Sequence, residues 1–314
     1  MVKRSIKAGE IPAFFVCMSL VFFVKLIIKI WNTMKRYVLI LLTMLLANRI
    51  SAQEEDLKVN HLYFVLDSAS FSTIRSSGQF AKWSSLDRGL PDFLPTDTGS
   101  TTLYMRGKST YLEIMGPDNR FGEKEGAIGI GFSWDTPGKF SDDISKKIKN
   151  KGLPFKRSNA MWDFKGKDVL WYSAYYTDLK GGIATWYAFY NPEFLTRLYH
   201  KEYPFFTREA FLEKAFDDNK EIRDLSSIAL ECTAEDFHKL TRELHSLGIT
   251  PVEKNGDAVT FDIDSIRITM TQIPNTKSRI KELRLKTKKG KKEDLELGKI
   301  KVRHQDNELI MMFN

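Results

Sequence analysis

Residues 126–135 read GAIGIGFSWD, and the fold turns on this stretch. Its isoleucines and aromatic residues stand between turn-forming neighbours, which predicts a strand. The glycines do not make a dinucleotide-binding loop, because they lie inside the strand and no helix starts directly after it. Pro137 suits the first turn of a following helix, and Phe140, Ile144 and Ile148 recur at i, i+4 and i+8 before Gly152 ends the pattern. Three extended runs come next, at 154–161, 169–177 and 183–190. The order is strand, helix, three strands.

The same order precedes it. Residues 59–67, VNHLYFVLD, are a β-rich run. Phe71, Ile74, Phe80 and Trp83 then follow at helical spacing, with Gly78 a weak point. A loop-like stretch rich in Pro, Gly and Asp covers 87–100, and short strands are predicted at 101–106 and 110–115. A third copy follows a charged connecting helix near 207–224. It has a strand at 227–232, a helix at 234–247 capped by Gly248, and strands at 252–253, 258–263 and 265–270. The expected class is therefore α+β, built from repeated βαβββ units. A helix covers one face of such a small sheet, so two units must pair, giving a cupped mixed-sheet barrel with a central cleft. The paired units span 57–195, a connection spans 196–224, and a third unit with a C-terminal antiparallel extension (IKELRLKT, LELGKIKV, ELIMMF) fills 225–314.

Charge excludes one class of partner. The chain has 314 residues and a formal charge of +8, but eight of its 48 Lys/Arg and only one of its 40 Asp/Glu lie in residues 1–52. The remainder is nearly neutral, so nucleic acid is not an expected partner. The lysines at 286–292 read as a charged hairpin tip. Residues 34–52 carry a cationic start, an apolar run over 37–47 and a small residue, Ala52, which together read as a secretory signal peptide. Residues 1–33 are either upstream sequence or a hydrophobic anchor, and the membrane is met only through this N-terminal segment. Export is expected. Of the two cysteines, Cys17 and Cys232, only Cys232 remains in the mature chain, too few for a disulfide scaffold.

Three pieces carry a resemblance: Asn60-His61-Leu62 opening the first strand, YLEIMGP at 111–117 ending the last, and the strand at 126–135 opening the next unit. Together they resemble the vicinal oxygen chelate superfamily, which includes glyoxalase I, extradiol dioxygenases, epimerases and bleomycin-resistance proteins. The pair Gly152-Leu153 and the aromatic run 186–190 are similar to the glyoxalase-like subgroup. The likeness covers 57–195, and more faintly 225–275. It implies a divalent metal (Zn, Fe, Mn or Ni) held by the first and last strands of each paired unit, with free positions for two substrate oxygens. His61 and Glu113 stand at the ligand positions of the first unit. In the second, Gly129 stands opposite His61, with Tyr187 and Phe189 where a Glu would be. The third unit offers Ser227 and Thr269.

Two roles for the pair stay open. His61 and Glu113 are metal ligands or a catalytic acid–base couple in a cleft, or else a hydrogen-bonded strand histidine and a strand-end carboxylate. Arg106, Tyr172, Trp186 and Tyr187 are the candidate substrate-binding residues: the arginine for an anionic group or for Glu113, the aromatics as an apolar wall. The expected function is binding of a small organic molecule between units one and two, with lyase, isomerase or dioxygenase chemistry at an incomplete metal site. The alternatives are a metal-free binding module and a protein-interaction module of the same fold. An unpaired third unit could close against a copy of itself in a homodimer.

Overall fold

A computed structural model describes residues 31, 57–135, 142–177, 182–274, 276–289 and 293–314. The N-terminal apolar stretches and Phe140 of the helical stripe lie outside the described residues. Unit one runs β1 (Lys58–Val65), α1 (Ser68–Ser76), α2 (Gly78–Trp83), β2 (Ser85–Asp87), β3 (Thr102–Arg106) and β4 (Tyr111–Met115). The predicted single helix is two. Ser77 ends the first, and its hydroxyl accepts from the Phe80 N–H to cap the second, so the chain restarts at Gly78. Unit two runs β5 (Ile128–Trp134), α3 (Asp142–Asn150), β6 (Lys156–Asp163), β7 (Asp168–Tyr176) and β8 (Ile183–Tyr190).

The two units form one eight-stranded sheet in the order β2-β3-β4-β1-β5-β8-β7-β6. The first strands, β1 and β5, meet antiparallel at its centre. Within each unit the first and last strands are parallel, because the helix returns the chain to its starting end before three strands zigzag back. The sheet is cupped but open, with β2 and β6 at its edges, so the expected barrel does not close.

The connection is also different from the single charged helix expected. It contains α4 (Pro192–Tyr199) and the short α5 (Arg208–Leu212), and its Phe206 and Phe211 are buried over the first sheet. The segment is charged, but its aromatic residues need cover.

The third unit runs β9 (Ile222–Cys232), α6 (Ala234–Ser246), β10 (Glu253–Asn255), β11 (Ala258–Ile263) and β12 (Ile266–Gln272). The C-terminal extension is β13 (Arg279–Thr287), β14 (Leu295–Leu297), β15 (Ile300–Gln305) and β16 (Glu308–Phe313). It completes a second eight-stranded sheet, β10-β11-β12-β9-β13-β16-β15-β14, in the strand order of the first. The extension is thus a fourth unit. Residues 288–294 are too few for a helical crossover, so the chain turns straight back, and its first and last strands, β13 and β16, run antiparallel.

A unit with no helix among its described residues must be covered from elsewhere. α1 lies against β14, the Lys299 N–H donates to the Ser70 hydroxyl at 3.0 Å, and the Phe64 and Phe313 rings meet edge to face. On the other side α6 packs against α3, and its buried Glu243 accepts hydrogen bonds from Thr185 and Tyr187 of β8. One apolar core therefore joins both sheets, from Leu62 and Phe132 to Ile228, Leu283 and Met311.

Five of the six tryptophans, from Trp83 to Trp186, belong to the first two units. Leu283→Ala, deep in the second sheet, should lower stability by about 3 kcal/mol. In urea the tryptophan fluorescence of the first sheet should shift with it in a single transition. An unmoved fluorescence transition would mean that the two sheets unfold independently.

Candidate functional site

The second face of the first sheet carries a cavity of about 540 Å³. Strand alternation decides which side chains reach it. On β1, Leu62 and Phe64 enter the shared core while His61 and Tyr63 face the cavity. On β4, Leu112 and Ile114 enter the core while Tyr111, Glu113 and Met115 face the cavity. Aromatic side chains of β6, β7 and β8 form the far wall, with Ala160 and Ala184 leaving room between them.

A bulge places the pair's key neighbour. The register between β1 and β5 slips between Val59 and His61, so Asn60 is the extra residue. Val59 keeps to the core, and Asn60 and His61 come to the same side. The Asn60 side-chain oxygen lies 2.8 Å from His61 Nδ1 and accepts from the Tyr190 hydroxyl at 3.1 Å, while its NH₂ donates to Ser133. An acceptor there puts the ring proton on Nδ1 and leaves Nε2 with a bare lone pair. The imidazole stacks on Tyr111 at 4.5 Å and meets Trp186 edge-on at 4.9 Å. Burial, reinforced by the Arg106 charge, pulls its pKa down to about 3, so it is neutral.

Glu113 is held opposite. Its carboxylate is 3.9 Å from His61 Nε2, beyond hydrogen-bond reach, and it makes no hydrogen bond among the described residues. Burial pushes its pKa up to about 7, against the opposing pull of Arg106 and Arg120. The two groups are thus shifted in opposite senses, to a neutral imidazole and a carboxyl that titrates near neutrality.

The structure brings His61, Glu113, Arg106, Tyr172 and Trp186 into this one cavity wall. Arg106 is only 1% exposed, and its guanidinium is held by Asp87 through Nε at 2.6 Å and Nη2 at 2.9 Å, between the rings of Tyr104 and Tyr111. It pairs with Asp87 and not with Glu113. Tyr187 is a correction. It lies on the opposite face of β8, stacked on Phe132 in the core, and its hydroxyl donates to Glu243. Trp186 and Tyr187 are adjacent on a strand, so only one of them can face the cavity. Sequence reasoning missed Asn60 as an orienting residue, and missed Tyr63, Tyr190 and Arg120. Paired glycines on one face of β5 were the available signal, since rings must lie above them.

The residues do not fit the metal centre implied by the resemblance. Unit two presents Gly129 and Gly131 on β5, and Ala184 and Trp186 on β8, where ligands would be needed. The space is also filled: a side chain at Gly129 would collide with the Tyr63 ring, and a Cβ at Gly131 would lie 2.5 Å from Trp186. Two donors remain, and no group of three His, Cys, Asp or Glu gathers among the described residues. Among those residues, too, no helix is long and apolar enough to cross a membrane.

Such a chain, two back-to-back eight-stranded sheets of the same strand order with a cavity on one outer face, belongs to a described family. Residues 59–313 match DUF5829, a family of unknown function, and the protein is a member of it. No curated protein matches the chain. Among solved structures it is similar to a hypothetical protein from Staphylococcus aureus, at 11% identity and a TM-score of 0.46, over 71% of this chain and 88% of that one. It is also similar to a xylose isomerase-like TIM barrel/4-hydroxyphenylpyruvate dioxygenase fusion protein (11% identity, TM-score 0.41, 71% and 35% covered). A 4-hydroxymandelate synthase mutant from Streptomyces coelicolor follows (9%, 0.40, 73% and 70%). The strand order, and not these distant likenesses, defines the fold.

A carboxyl whose pKa is raised on folding binds its proton more tightly in the native state. Its ionisation therefore costs stability as pH climbs from the ordinary 4.5 to about 7. Glu113→Gln, which stays neutral, should match the wild type below pH 4.5 and exceed its stability by about 3 kcal/mol at pH 8. Urea unfolding at both pH values measures this, and equal stabilities at pH 8 would show that Glu113 is solvated.

Proposed function

We propose that this protein binds a small organic molecule in the cavity on the outer face of its first sheet. The observation that carries the reading is Glu113. A carboxyl largely withdrawn from water (its side chain is 13% exposed), without a protein hydrogen bond among the described residues and in a wall of aromatic rings, is costly unless a ligand or water supplies its partner. The cavity volume suits a ligand of drug-like size, and its mixture of apolar walls with a few convergent polar groups is that of a ligand site. A signal peptide at 34–52 would put this binding activity outside the cytoplasm.

A second reading is favoured by the opposed shifts of His61 and Glu113. A carboxyl that gains and loses its proton near pH 7 beside a neutral imidazole is suited to moving a proton on a bound substrate, as isomerases and lyases do. This chemistry needs no metal ligand from unit two.

The neutral dye N-phenylnaphthylamine, whose fluorescence rises in apolar sites, tests the first reading. Wild-type protein should bind it saturably, and Ala184→Trp, which fills the cavity, should abolish the signal while circular dichroism stays unchanged. Binding that survives in a folded Ala184→Trp protein would move the ligand elsewhere.

A further inference from the structure

The walls of this cavity say what shape of molecule it takes. Gly129 and Gly131 lie behind it on β5, and in place of their missing side chains lie the rings of Tyr63 and Trp186, which line it. These rings share one orientation: Trp186 is inclined by 21° to Tyr63 and by 23° to Tyr176, with centroids 5.9 and 6.4 Å apart. Three near-parallel rings along one wall favour a flat partner lying in the same plane, because offset stacking adds to the area buried. A saturated, puckered molecule gains only the burial.

The polar end restricts the ligand further. His61 Nε2 can only accept, since Asn60 holds the ring proton on Nδ1. Glu113 stands 3.9 Å away, a span that one oxygen at about 2.8 Å from each group would bridge. A hydroxyl meets both needs, donating to Nε2 and accepting from the protonated carboxyl; a ring N–H meets the first. Charge selects as well. Arg106 acts on both groups and Arg120 on Glu113, which opposes a cation, while ionised Glu113 opposes an anion.

Resting on the binding reading above, the geometry points to a neutral, planar, conjugated ring system that lies along the Tyr63–Trp186–Tyr176 wall and donates an O–H or N–H from its edge to His61 Nε2. Phe121 and Met161, 48% and 52% exposed, stand among the cavity's lining residues and would be partly covered by such a ligand.

Three compounds of similar size separate the two halves of this statement: naphthol is flat with a donor, methoxynaphthalene is flat without one, and decahydronaphthol has the donor but is not flat. Each is titrated against protein carrying N-phenylnaphthylamine. Naphthol should displace the dye about tenfold better than either of the others, the effect of one buried acceptor left unpaired or of one lost stacking contact. His61→Phe keeps a flat ring on Tyr111 and should bring naphthol down to methoxynaphthalene. Gly131→Ala, which displaces Trp186, should bring naphthol down to decahydronaphthol. Dye binding with all three compounds equal in the wild type overturns this inference and leaves the binding reading standing. Failure of the wild type to bind the dye overturns both.

Discussion

A βαβββ sheet has two faces and a helix for only one, and in this protein the helix side of each sheet is covered by the other sheet. The constraint is sharpest at the fourth unit, which has no helix among its described residues and relies on α1 and Phe64 of the first unit for cover. The same interface buries Glu243 and Asp236, whose oxygens accept from Thr185, Tyr187, Gly182 and Ile183 and so fix β8 from behind. With the backs closed in this way, whatever the outer face of the first sheet presents is free of the task of holding the fold.

The two outer faces are used differently. On the second sheet, charged residues pair with one another, Arg267 with Asp262, Arg279 with Glu231 and Arg284 with Glu282, as exposed ion pairs do. On the first sheet, the connection between units two and three bends over the face and brings Phe206 and Phe211 onto it. That roof converts an open sheet face into a cavity dry enough to move His61 and Glu113 in opposite directions. Water exclusion matters more than charge here, since burial is the larger cause of both shifts and Arg106, which acts on both groups, is itself paired with Asp87.

Much of this was legible in the chain. The period-two runs and the helix stops placed most strands within a residue or two, including β13 and β16, because half-buried strands must alternate, whereas the run 295–302 read as one strand is split into β14 and β15. Two features were not. Bulges at Asn60 and at Trp171, where the β6–β7 register slips, put neighbouring side chains on the same side of a strand, and strict alternation cannot anticipate them. The short edge strand β2 ends where the loop-like stretch 87–100 begins and was not placed, although its Asp87 is what holds Arg106.

Sequence by itself determined the repeat, the strand that carries His61 and the strand that carries Glu113, since these depend on local alternation and on turn-forming residues. It also determined that the second unit cannot supply matching ligands, because glycine has no side chain wherever it is placed. Only the tertiary structure decided that the C-terminal strands are a fourth unit, that Tyr187 faces the core and Trp186 the cavity, and that Asn60 sets the tautomer of His61. Those outcomes depend on which strands pair and in what register, and pairing joins residues far apart in the chain, whose contacts no local pattern encodes.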